Sequence, residues 1–113
     1  MEPKAMIDED TAREYAAMLT RNRRPFAALR LMLGTSMIFR TGNGIRFDLH
    51  GGGRFSLCEL SYNAGDDLFE IRFYRGGKVA ETLTMLWGDQ LTEVFERHSG
   101  LRITVPRICG INA

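Results

Sequence analysis

Residues 68–75 alternate without a break: Phe69, Ile71 and Phe73 fall on one side, and Glu70, Arg72 and Tyr74 on the other. A period of two with one apolar side is the pattern of a strand that faces a core on one side and water on the other. Gly76-Gly77 follows at once. Two glycines between strand-like runs form a two-residue hairpin turn, so residues 78–86 are predicted to return antiparallel.

The same period appears upstream. Ile45, Phe47 and Leu49 share one face, with Arg46, Asp48 and His50 on the other. Residues 36–40 read as a short strand before them, and Thr41-Gly42-Asn43-Gly44 as a turn of residues that tolerate positive φ. Residues 54–63 read as a further strand whose alternation slips. Phe55 and Leu57 share one face, then Leu60 and Tyr62 the other, and a bulge near Cys58 or Glu59 would reconcile them. Ala64-Gly65-Asp66-Asp67 is the next turn. Together these segments predict a five-strand antiparallel meander.

Helical spacing flanks the meander. Thr11 and Glu14 fit a capping box, followed by Ala12, Tyr15, Ala16 and Leu19 on one face. Pro25 disfavours helix at Arg24 and suits the first position of a second helix over residues 26–33, with Gly34 as its cap. One helix kinked at Pro25 is the alternative. A closing helix is predicted from about Asp89, as cap, to His98, with Leu91, Val94, Phe95 and His98 on one face and Gly100 ending it. Residues 101–105 read as a short terminal edge strand. The fold class is therefore α+β: two N-terminal helices, the meander, and a helix packed on one sheet face. Residues 1–10 read as a flexible acidic tail and 11–113 as a single domain, as the length of 113 residues suggests.

Composition narrows the function classes. Hydrophobic residues are 44% and charged residues 26% of the chain, which is ordinary for a globular domain and argues against disorder. No apolar run approaches the ~20 residues that span a bilayer, so no membrane role is expected. The acidic start lacks the basic and apolar regions of a signal peptide. Cys58 and Cys109 read as reduced thiols of a cytoplasmic protein, although spacing alone leaves a single bridge open.

Charge is segregated along the chain. Residues 15–47 hold six arginines, Arg21, Arg23, Arg24, Arg30, Arg40 and Arg46, and no acid. Residues 55–71 hold Glu59, Asp66, Asp67 and Glu70 and no base. Such blocks either pair with each other across the fold or form a basic and an acidic face for partners. Thirteen of the fifteen basic residues are arginine, the side chain suited to bidentate contact with phosphate or carboxylate.

Catalytic and metal patterns are weak. His50-Gly51-Gly52-Gly53 resembles the oxyanion-hole motif of some lipases and esterases, but that family needs a G-x-S-x-G nucleophile elbow, which is absent here. The glycines lie between two strands rather than before a helix, so they do not form a phosphate cradle, and only His50 and Arg54 offer a contact for an anion. His50, Cys58, His98 and Cys109 lack zinc spacing, and no metal or cofactor is expected. His98 reads as a packed histidine. The helix after Pro25 is too apolar to enter a DNA groove, with Arg30 its only reader. Trp87 with Leu86 could anchor a contact or cover the sheet end, and a homodimer is open. The expectation is a non-catalytic interaction module whose partner is another protein, such as the small regulators, inhibitors or assembly partners that phages and plasmids encode. Nucleic-acid binding through residues 21–46 is the alternative, and a small enzyme the second alternative.

Overall fold

A computed structural model of the protein describes residues 5–50 and 53–103. In chain order it contains α1 (Glu9–Thr20), α2 (Pro25–Leu33), β1 (Ile38–Arg40), β2 (Gly44–Asp48), β3 (Leu57–Asn63), β4 (Leu68–Arg75), β5 (Lys78–Leu86), a 3-10 turn (Gly88–Gln90) and α3 (Leu91–Ser99). The strands form one sheet in the order β1-β2-β3-β4-β5, every pair antiparallel. The α+β class and the five-strand meander are as the sequence predicts. No helix among the described residues is long and apolar enough to cross a membrane.

Local chemistry sets where the helices begin and end. The cap of α1 is Asp8, not Thr11: the Asp8 carboxylate accepts from the Thr11 N–H at 2.7 Å. An anion at this end also suits the helix dipole. Just before it, the Ile7 N–H donates to the Thr41 carbonyl at 3.0 Å, and Ile7 packs against the core. The predicted tail is therefore engaged from Ile7 onward, while residues 1–4 lie outside the described residues. Arg21 ends α1 in the left-handed region, at φ 55°. Asn22 then accepts from the Arg24 N–H, and Pro25 opens a separate helix, so the single kinked helix is not formed. Gly34, at φ 69°, ends α2 and donates to the Arg30 carbonyl.

Two features of the sheet differ from the sequence reading. First, β3 pairs in continuous register with both neighbours and carries no bulge. Phe55 precedes the strand and folds onto the core, where its ring stacks on Phe73 with centroids 4.6 Å apart. Cys58 and Leu60 face the core, and Leu57, Glu59 and Ser61 face the other way. The irregularities lie instead between β4 and β5, at Phe69/Ile71 and Phe73/Tyr74. Second, β1 is shorter than predicted, because the backbone N–H groups of Ser36 and Met37 turn to the Asp48 carboxylate.

The core lies between one sheet face and the helices. Ile45, Phe47, Leu60, Ile71 and Phe73 meet Leu19, Leu29, Leu91 and Phe95, all with essentially no exposure. The start of α3 also differs from expectation. The Gln90 side chain accepts from the Trp87 N–H at 2.8 Å, and Asp89 does not cap the helix. Leu101 and Ile103 enter the core without forming a strand, and the rest of the predicted edge strand lies outside the described residues.

Candidate interaction surface

The helices cover one face of the sheet and leave the other open. On the open face, Glu59 stands at the centre of a polar network. Arg46 Nη2 lies 3.4 Å from Glu59 Oε2, and the Tyr74 hydroxyl donates to Glu59 Oε1 at 2.8 Å. Arg46 also lies over the Tyr74 ring, 5.7 Å from its centroid. Arg72 pairs with Glu70 at 2.6 Å. Glu59, Glu70 and Arg72 border a shallow polar depression of about 580 Å³ that Asn43, Ser61 and Asn63 also line. Each of these charges has an opposite partner in the network, although the buried Arg46 Nε has no hydrogen-bond partner among the described residues.

The six arginines do not gather on one face. Arg46 belongs to the open sheet face. Arg21 donates to the Asp89 carbonyl at 2.9 Å, beside α3. Arg23 and Arg24 are exposed in the link between α1 and α2. Arg30 and Arg40 meet at a small cleft on the helical side. The two charge blocks touch at Arg46–Glu59. Of the remaining acids, Asp67 accepts from the Tyr62 hydroxyl and Asp66 from the Leu68 N–H, so both brace the β3–β4 turn.

His50 and Arg54 are not joined as an anion contact. His50 Nε2 lies 2.5 Å from Asp48 Oδ2, while Arg54 uses its backbone carbonyl to accept from Arg75. Asp48 is a hub that sequence reading missed. Burial pushes its carboxyl upward, but donors from the Ser36 hydroxyl, the Met37 N–H, His50 and the Ser36 N–H overrule this and lower its pKa to about 2. The order of contacts is serine to aspartate and histidine to the same aspartate. A nucleophilic triad needs serine on histidine instead.

The other reactive groups are equally committed. Cys58 is fully buried, and burial followed by the charge of Glu59 pushes its thiol well up, which disfavours the reactive thiolate. His98 is half-exposed rather than packed on an apolar face, and its Nδ1 lies 2.5 Å from Glu81 Oε1 on β5. Among the described residues, no group of three or more His, Cys, Asp or Glu side chains gathers where a metal could sit. Cys109 and two glycines of the His50–Gly53 motif lie outside the described residues.

An exposed apolar surface lies where β5 meets the 3-10 turn. Met85 is 69% and Trp87 62% exposed, on either side of buried Leu86. Met18 of α1 is 41% exposed, and its terminal methyl reaches Gly88. Trp87 is thus neither core cover nor paired with Leu86; its exposed companions are the two methionines. Met85 also adopts φ 60°, a conformation that methionine rarely takes. A sequence signal was present: Leu83 and Leu86 stand three residues apart, which breaks a period of two, and the structure makes both more buried than their neighbours. Comparison with protein-family models, with curated proteins and with solved structures finds no match to this chain.

Proposed function

We propose that this protein is a non-catalytic interaction module that docks another protein through the surface of Met18, Met85 and Trp87. The exposure of Trp87, with Met85 two residues before it and the Met18 side chain at the neighbouring Gly88, carries this reading. Tryptophan is enriched among the residues that dominate binding energy, and methionine adapts to irregular partner surfaces. Scattered single apolar residues need no explanation, whereas three exposed large ones near one strand–helix junction offer the material of an anchor: Met85 and Trp87 flank Leu86, and Met18 reaches Gly88. The buried Cys58 thiol fits a cytoplasmic setting, where thiols stay reduced.

Nucleic-acid binding is less favoured by the same geometry. A phosphate-tracking surface needs its cations on one face, and here Arg21, Arg30 with Arg40, and Arg46 belong to three separate surroundings.

The test compares capture by the wild type, Trp87→Ser and Arg46→Gln from a lysate of the source organism, with melting curves to confirm that each variant is folded. A protein retained by the wild type and Arg46→Gln but lost by Trp87→Ser supports the reading. Capture of the same proteins by all three overturns it, as does a low-salt shift of DNA or RNA that Trp87→Ser preserves. Light scattering identifies the case in which the captured partner is a second copy.

A further inference from the structure

Near the opposite end of α1 from Met18, a cleft of about 200 Å³ lies between α1, α2 and β1. It is lined by the apolar Ala12, Phe26 and Ile38 and by the charged Glu9, Arg30 and Arg40. Arg13 joins them, with its guanidinium 5.4 Å from the centroid of the Phe26 ring. We propose that this cleft binds a carboxylate carried on a single apolar group, either a free aromatic or branched acid or the C-terminal residue of a peptide.

The charge balance at the cleft carries the proposal. Glu9 is engaged with Arg13 at 3.7 Å. Arg40 gives one long hydrogen bond, 3.4 Å, to the Ile7 carbonyl, and its charge is near enough to the Asp8 carboxylate to help lower that group's pKa. The Arg30 side chain has no hydrogen-bond or ion-pair partner among the described residues. Glu9 is thus offset by Arg13 and Arg40 by Asp8, and Arg30 is left as the cation at this apolar cleft without a carboxylate of its own. The α2 dipole favours a cation at Arg30, but it does not account for the apolar walls beside it.

Size and chemistry narrow the ligand. Pockets for drug-sized ligands run to roughly 300–1,000 Å³, so this one suits a single aromatic or branched aliphatic group. Guanidinium groups match a carboxylate in bidentate geometry. The apolar walls favour an organic body over a bare inorganic anion, whose hydration they cannot replace.

The experiment titrates the isotope-labelled full chain with phenylacetate and with neutral phenylacetamide, following backbone amide shifts. Saturable shifts at Ala12, Phe26, Arg30 and Ile38 with phenylacetate, about tenfold weaker with phenylacetamide, are expected. Arg30→Gln should weaken phenylacetate by a similar factor, and Arg30→Lys, which keeps charge but loses the fork, by less. A peptide ending in phenylalanine, compared with its amidated form, separates the sources. Tighter binding of the free-acid peptide than of phenylacetate assigns the site to a protein terminus, and weaker binding assigns it to a small molecule. Equal responses to phenylacetate and phenylacetamide overturn the proposal, as does the absence of saturable shifts with both phenylacetate and the peptide. Because these comparisons use the wild type, they stand even if Arg30→Gln misfolds.

Discussion

Arg46 on β2 and Glu59 on β3 stand directly opposite each other in the sheet, with their charged ends 3.4 Å apart. Glu59 is largely buried for a carboxylate, and its other oxygen takes the Tyr74 hydroxyl. A cross-strand pair of opposite charge stabilises a sheet modestly, and more when one member is shielded from water. Glu59→Ala should therefore cost about 1–2 kcal/mol in urea unfolding, and a double-mutant cycle with Arg46→Ala should give a coupling of about 0.5–1 kcal/mol. Additive effects would mean that the pair is geometric neighbourhood only.

Asp48 ties the segment after α2 to the end of β2, and its tie is pH-dependent. Its pKa falls from the ordinary 3.8 to about 2 in the folded protein, because the donors at Ser36, Met37 and His50 outweigh burial. A depressed carboxylate pKa stabilises the fold above the unfolded value, and this contribution disappears as pH falls through the folded one. With solvent screening of this partly exposed group allowed for, stability should drop by about 1–2 kcal/mol between roughly pH 5 and pH 2 on account of this residue. Asp48→Asn should flatten that limb when urea midpoints are followed against pH. An unchanged acid limb would place the carboxylate outside the stabilising set.

The elements legible in the sequence are those where a local rule and the tertiary environment agree. The alternation of β4, the Gly76-Gly77 turn with both φ values positive, and Gly34 and Gly100 as left-handed helix ends are such cases. Elsewhere two explanations fit the same residues. Gly44 reads as a flexible turn residue, yet its φ is not positive. A Cβ there would sit 1.8 Å from the Leu60 carbonyl oxygen, so glycine is needed for close strand approach. Phe55 looks like a strand residue out of phase because sequence cannot show that the chain bends before β3. The candidate surfaces were least legible, since they depend on pairings between distant residues. The arginine block looked continuous along the chain, but strand alternation places Arg46 on the open sheet face, away from Arg30 and Arg40. Arg13, Met18 and Met85 became notable only through what the fold sets beside them.

Met85 links stability to the proposed docking surface. It holds a left-handed φ of 60° at an irregularity in the β4–β5 pairing and is 69% exposed. For an L-residue with a side chain this conformation costs about 1–2 kcal/mol, and glycine adopts it freely. Glycine also adds freedom to the unfolded chain, which offsets part of that relief. The net expectation for Met85→Gly is a gain of about 0.5–1 kcal/mol in urea unfolding, since little apolar burial is lost. Met85→Val should lose stability, because a β-branched residue fits this φ worse. If the strain is retained because the methionine side chain contacts a partner, Met85→Gly will be more stable than the wild type and yet weaker in capture. A variant that gains stability and keeps full capture would separate the strained residue from the docking surface and leave Trp87 and Met18 as its anchors.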